Sequence, residues 1–307
     1  MRWRKLGRVF APDGARPWAR SYAHLPTPYL LDDRTIRVYF AGLDDEQVGR
    51  VGYVDVDAHD PLRIIASSDD PVLDIGAPGL FDDAGVNPSC LVPVDGGVRM
   101  YYIGWQRGWR TPYMLFAGIA ESPSASGDAF TRARCTPVLD RTNAEPFLRS
   151  AVSVLRTEPE RWRAWYVCGT GWGAGPDGRY PSYVIRTVES RDGVHWPAAG
   201  ITCIESETPD EFGFGRPWVV RDGETYRMWY SIRSTARAYR IGYAESADGR
   251  TWTRRDDDAG IAASASGWDS EMICYPAVID AGGARYMFHN GNKHGASGFG
   301  VAVLEQE

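Results

Sequence analysis

One pattern, repeated five times at intervals of about sixty residues, limits this chain more than any other feature. Each copy has an apolar stretch, usually with an early proline, then an aromatic-rich stretch, then a shorter apolar one. The early elements are Thr27-Pro28-Tyr29-Leu30, Asn87-Pro88-Ser89-Cys90, Ser150-Ala151-Val152-Ser153, Arg216-Pro217-Trp218-Val219 and Tyr275-Pro276-Ala277-Val278. The middle elements include Met100-Tyr101-Tyr102-Ile103, Ala164-Trp165-Tyr166-Val167 and Met228-Trp229-Tyr230-Ser231. A repeat of this length, rich in strand formers, predicts an all-β fold: a five-bladed β-propeller with one four-stranded blade per repeat. The repeats fill the chain from about residue 20 onward, so residues 1–307 read as a single domain.

The third element predicts where the outer strands begin. Glu245-Ser246-Ala247-Asp248-Gly249 runs into Trp252, and Glu189-Ser190-Arg191-Asp192-Gly193 runs into Trp196. Asp-Gly between apolar runs predicts a type I′ hairpin turn, with the tryptophan opening the outermost strand. Asp192 and Asp248 are therefore turn formers. The last repeat ends one strand short at 300–304, while residues 3–10 precede the first repeat without a blade of their own. This N-terminal strand is expected to complete the last blade and close the ring, since closure removes exposed sheet edges.

The formal charge of −6 and pI near 5.5 argue against nucleic acid or an anionic membrane as partner. No apolar window approaches a membrane span, and the basic start at 1–6 lacks a following apolar region, so a cytoplasmic location is expected. Cys90, Cys135, Cys168, Cys203 and Cys274 are odd in number and widely spaced, which suggests neither a zinc cage nor a disulfide framework. No motif calls for a metal or a cofactor, and none is expected.

A propeller presents ligands at the mouth of its central channel, so chemistry is sought in the loops feeding the innermost strands. Aligned on the proline position, Asp82, Glu145 and Glu211 each lie six residues ahead, and Glu271 lies five ahead, with Asp269 beside it. Converging carboxylates, one with a raised pKa, are the usual equipment for cleaving a glycosidic bond. Arg216 and Arg149 stand at or ahead of their inner strands, with Asn87 and Tyr275 in the matching positions. A buried inner-strand arginine has two readings: a clamp for carboxylate or phosphate, or a partner of Glu211 or Glu271. His24 precedes the first inner strand, and His289 and His294 flank Asn290-Gly291-Asn292-Lys293. The surplus length of each repeat lies in loops such as 104–113 and 169–181, rich in Trp, Gly and Arg, where binding groups are commonly displayed.

Three segments carry a family resemblance: Tyr226-Arg227-Met228-Trp229-Tyr230-Ser231, and the Glu-Ser-x-Asp-Gly-x-x-Trp turns at 189–196 and 245–252. With the blade length, they resemble the five-bladed arabinanase, invertase and β-mannoside phosphorylase superfamily of glycoside hydrolases. The segments 214–217, 267–272 and 290–292 look closer to propellers linked to bacterial glycoside or polysaccharide biosynthesis. The resemblance implies an acid at each of the first three inner strands, where this chain has Thr27, Asn87 and Ser150.

The expectation is a carbohydrate-active, glycoside hydrolase-like enzyme acting on a glycoside or activated sugar. Glu271, Glu211, Asp269 and Asp82 would supply acid/base chemistry. Arg216, Arg149, Asn87, Tyr275, His24, Trp268, Asn290 and Lys293 would hold substrate, and Trp105 and Trp172 could stack on sugar faces. The alternatives are a non-hydrolytic biosynthetic enzyme (transferase, phosphorylase, lyase or cyclase) and a non-catalytic sugar-binding propeller.

Overall fold

The computed structural model describes residues 1–175 and 178–306, so the predicted loop 169–181 is described apart from Pro176 and Asp177. The fold is all-β, with each repeat forming a run of antiparallel strands. Repeat one gives β2 (Ser21–Leu30), β3 (Thr35–Leu43), β4 (Gly49–Asp57) and β5 (Ile64–Ser67); repeat two gives β6 (Val86–Val94), β7 (Gly97–Arg107), β8 (Tyr113–Ser122) and β9 (Thr131–Arg132). Repeat three gives β10 (Arg149–Glu158), β11 (Arg161–Ala174), β12 (Tyr180–Ser190) and β13 (Ile201–Ile204). Repeat four gives β14 (Glu211–Asp222), β15 (Thr225–Ser234), β16 (Arg240–Ser246) and β17 (Thr253–Arg254). The last repeat contributes β18 (Cys274–Ala281), β19 (Ala284–Asn290) and β20 (Phe299–Gln306). The N-terminal strand β1 (Arg2–Phe10) pairs antiparallel with β20 and is the outermost strand of that sheet.

The aromatic middle strands bury Tyr39, Tyr101, Tyr102, Trp165, Tyr166, Trp229 and Tyr230 between neighbouring sheets. Their polar tips fasten one repeat to the next. Tyr39 Oη donates to Gly127 O at 2.9 Å, Tyr101 Oη to Gly193 O at 2.7 Å and Trp165 Nε1 to Gly249 O at 2.8 Å. The receiving glycines hold φ of 63°, 70° and 68°. A Cβ there would meet Tyr39 Oη, Tyr101 Oη and an Arg163 Nη, so only glycine fits.

These Asp-Gly turns differ from the expected two-residue hairpin. Asp248 Oδ1 accepts from the amides of Arg250 and Thr251, and Asp192 Oδ1 from those of Val194 and His195. Each carboxylate thereby organises a longer loop, and the outer strands start at Ile201 and Thr253, after Trp196 and Trp252.

The inner strands also depart from the proline-based alignment. Register shifts fall at 25–26, 151–152, 216–217 and 275–276 in β2, β10, β14 and β18. At each, a non-glycine residue takes a left-handed backbone: Leu25 (φ 53°), Ala151 (49°), Arg216 (44°) and Tyr275 (56°). Pro26 is thus the counterpart of Pro217 and Pro276, and Ala151 matches Arg216. The sequence alignment had used Pro28 and paired Ala151 with Pro217. A bulge re-aims the chain by one residue without altering composition, which is why spacing alone missed it.

Candidate functional site

The four bulged residues line one cavity of about 560 Å³, to which all five repeats contribute. Its volume lies in the range of small-molecule sites, roughly 300–1,000 Å³. Leu25, Ala151, Arg216 and Tyr275 sit at the inner strands, and Trp105, Tyr113, Tyr180, Tyr183, Phe212 and Tyr239 supply aromatic surface. Left-handed non-glycine backbone costs about 1–3 kcal/mol per residue and gathers at functional sites. Its concentration here marks the cavity out.

The polar lining is basic. Arg216, 1 % exposed, donates through Nη1 to Pro26 O (2.8 Å) and Tyr275 O (3.2 Å), and through Nη2 to Thr27 Oγ1 (2.7 Å) and Ser89 O (3.2 Å). It braces inner strands of four repeats with carbonyl and hydroxyl oxygens. Burial pushes its pKa down to about 9, which still leaves it charged at neutral pH. Arg233, 4 % exposed, lies among the rings of Phe212 (4.6 Å), Tyr183 (4.8 Å), Tyr180 (5.2 Å) and Tyr239 (6.0 Å). Arg237 and Lys293 lie at the exposed edge of the lining.

His24 and His294 also line the cavity. Burial, with His294 nearby, pushes the His24 pKa down to about 3, so its ring is neutral; its buried Nε2 has no partner among the described residues. Burial, with Arg233 nearby, likewise lowers the His294 pKa. Lys293 and His294 both adopt left-handed backbone in the turn after β19.

Among the described residues, no Asp or Glu lines this cavity. The acids singled out in the sequence are engaged elsewhere. Asp82, fully buried, accepts from Tyr102 Oη (2.9 Å) and Arg132 Nε (2.7 Å). Glu145 accepts from Tyr166 Oη, from Arg186 Nη1 and the Gly200 amide (2.8 Å each), and pairs with Arg149. Glu211 receives Arg254 Nη2 (2.8 Å) and Arg240 Nη2 (3.0 Å). Asp269 pairs with Lys5 of β1, and Glu271 is exposed. Burial opposes the charge on Glu145 and Glu211, but hydrogen bonds and arginines outweigh it and hold both pKa values below the ordinary glutamate value. A general acid needs the opposite shift. Asp82, Glu145 and Glu211 thus fasten the entries of β6, β10 and β14 to outer strands of their own repeats.

Of the predicted binding residues, Arg216, Tyr275, His24 and Lys293 come together on the cavity wall. Arg149 belongs to the Glu145 cluster, and Arg216 pairs with neither Glu211 nor Glu271. Asn87 is buried outside the lining. Asn290 is a bracket, donating to Ala23 O (2.7 Å) and Gly298 O (3.0 Å) and accepting from the Leu25 amide (2.8 Å). Trp268 stacks on His289 with centroids 5.2 Å apart, and neither it nor Trp172 lines the cavity. Among the described residues no group of three or more His, Cys, Asp or Glu could hold a metal ion, and no helix is long and apolar enough to cross a membrane.

Along its whole length the chain is similar to the uncharacterized protein Rv1502 of Mycobacterium tuberculosis strain H37Rv. The two are 40 % identical over 305 residues, which is 99 % of this chain and all of the relative. The chain belongs to the Rv1502 family. The CDC 1551 strain has a family member, the uncharacterized protein MT1551, with the same 40 % identity and the same coverage. No protein-family model matches. Among solved structures, a glycoside hydrolase superposes with a TM-score of 0.74 at 18 % identity, covering 98 % of this chain and 90 % of its own. A thermostable family-43 glycoside hydrolase gives 0.68 at 14 % identity, covering 94 % and 91 %. A structure from the GH130 family of mannoside phosphorylases, described as containing glycoside hydrolases that target β-1,2 mannosidic linkages in Candida mannan, gives 0.71 at 14 % identity, covering 98 % and 93 %. The Rv1502-family fold is therefore a glycoside hydrolase-like propeller fold.

Sequence reasoning missed Arg233, Tyr239, Tyr183, Tyr113, Phe212 and Tyr22. One signal was available. Repeat four alone follows its aromatic middle run with a cation, Ser231-Ile232-Arg233, at the strand end where repeats one and two carry Leu43 and Trp105.

Proposed function

We propose that this is a five-bladed propeller, closed by β1, that binds a glycoside or activated sugar in its central cavity. We further propose that it acts there by a non-hydrolytic biosynthetic reaction, such as transfer or elimination. The observation that carries this reading is the lining itself: aromatic faces, phenols, imidazoles and guanidinium groups from every repeat, and no carboxylate among the described residues. Aromatic rings suit sugar faces, while two-carboxylate hydrolysis requires acids flanking the bond. The committed ionisation of Glu145 and Glu211 in their arginine clusters supports the same choice.

The test is a panel of glycosides and nucleotide sugars screened for binding by calorimetry and for products by mass spectrometry. Trp105→Ala and Tyr239→Ala should weaken sugar binding at least tenfold. Product should lack added water. Release of free sugar by the wild type, selectively abolished by Glu211→Gln or Asp82→Asn in folded protein, would restore the hydrolase reading.

A further inference from the structure

Buried arginines in this protein follow a rule that two of them break. Arg37 lies over Tyr53 and is also paired with Asp55; Arg149 lies over Tyr166 and is paired with Glu145; Arg163 lies over Trp165 and is paired with Glu189. Ring stacking is thus accompanied by a carboxylate elsewhere in the fold. Arg216 and Arg233 have rings and oxygens around them but no carboxylate partner among the described residues, and both line the cavity.

The two differ in what they have left to give. Arg216 spends both Nη groups bracing the inner strands. Among the described residues Arg233 makes one hydrogen bond, Nη1 to Pro181 O at 3.3 Å, and its buried Nε has no partner. A buried guanidinium keeps its charge and presents a planar fork suited to an oxyanion. Low dielectric around the aromatic cage strengthens any such contact. Lys293 and Arg237, at the edge of the same lining, add to a positive field that no acid among the described lining residues offsets.

We propose that the ligand carries an oxyanion, a carboxylate or a phosphate on a sugar, and that Arg233 receives it while the neighbouring rings hold the sugar. This rests on the sugar-site reading above and adds the ligand's charge to it.

The experiment measures affinities of the full chain for neutral, uronate and 6-phosphate forms of glucose and mannose, alongside inorganic phosphate and acetate. At least one charged form should bind tenfold or more tighter than its neutral parent, and most of that gain should survive added salt, since buried pairs are weakly screened. Arg233→Met, verified as folded by its thermal melt, should erase the gain, so that charged and neutral forms bind that variant alike. The uronate and phosphate arms identify which oxyanion is preferred. Equal affinity for charged and neutral sugars overturns the inference and leaves the sugar site standing. Retention of the preference in Arg233→Met also overturns it. Arg233-dependent binding of phosphate or acetate without any sugar binding upholds the inference and counts against the sugar reading. Silence from every probe removes both. Should Arg233→Met fail to fold, Arg233→Gln takes its place, and retention of the charge preference in that variant overturns the inference.

Discussion

The acid clusters and the central cavity use the same side chains in opposite ways. Around Asp82, Glu145 and Glu211, each buried carboxylate meets one or two arginines and, at the first two, a tyrosine hydroxyl. Charge is cancelled there, and its use is mechanical: the entry loop of an inner strand is tied to the outer edge of its sheet. In the cavity, arginines stand without acids among the described residues, and the backbone is strained at Leu25, Ala151, Arg216 and Tyr275. The difference teaches that paired charge marks the scaffold of this molecule, while unpaired charge marks its site.

The severest challenge to that contrast is Glu145→Ala. Removing the carboxylate strands Arg149 and Arg186 in buried surroundings, and breaking a buried pair costs about 3–5 kcal/mol. Urea unfolding should show that loss, with ligand affinity of the folded fraction unchanged. A stable variant with altered affinity would move Glu145 from scaffold to site.

Acid titration comes next. Burial, followed by the nearby Lys5 charge, pushes the His289 pKa down to about 4 against an ordinary 6.5; the Asn290 carbonyl and Asp269 pull the other way. The folded state therefore favours the neutral ring. Above pH 6.5 neither state binds the proton and stability is flat. As pH falls from 6.5 toward 4, the unfolded chain protonates first and stability is lost, by about 3 kcal/mol at one pKa unit per 1.4 kcal/mol. His24 and His294 add losses of the same sign in this window, since their pKa values are also lowered. Glu145 and Glu211, being lowered carboxylates, lose their contribution only below about pH 4.5. His289→Phe, which keeps a ring against Trp268, should flatten the slope between pH 6.5 and 4.5 in denaturation curves. An unchanged slope would mean that His289 does not titrate with unfolding.

Arg233→Met and Arg254→Met form a matched pair. Removing Arg254 leaves Glu211 with a buried charge and weaker support, costing about 3 kcal/mol or more. Removing Arg233 strands no carboxylate, so its stability should shift by less than about 1 kcal/mol, upward if anything. Comparable losses in chemical denaturation would erase the distinction between scaffold and cavity arginines.

The legibility of the chain divides along the same line. The repeat, its strand types and the outer position of the N-terminal segment were readable because apolar periodicity and turn residues act locally. The acids were found as a regular series, and that regularity was itself the clue to their structural use: Asp82, Glu145 and Glu211 recur because repeats two, three and four solve the same loop-tethering problem. The cavity was only partly visible. Arg216, Tyr275, His24 and Lys293 stood out by residue type and position, whereas Tyr183, Phe212 and Arg233 converge through bulges and strand ends far apart in the chain. Left-handed φ at Ala151 leaves no compositional trace, because alanine is ordinary in a strand.

The smallest expected effect tests whether strain and charge are linked at the cavity edge. Lys293 sits at φ 52°, ψ 41°, a left-handed conformation that costs a side-chain-bearing residue about 1–2 kcal/mol and glycine almost nothing. Lys293→Gly should raise stability by about 0.5–1 kcal/mol, the relief being offset in part by glycine's greater freedom when unfolded. If Lys293 is held there for its ammonium, the same variant should bind a charged sugar several-fold more weakly. Lys293→Ala separates the two effects, for it keeps the strain and loses the charge. It should match the glycine variant in weakened affinity and the wild type in stability. Weakened affinity in glycine alone would point to the turn's backbone instead, with the ammonium a bystander.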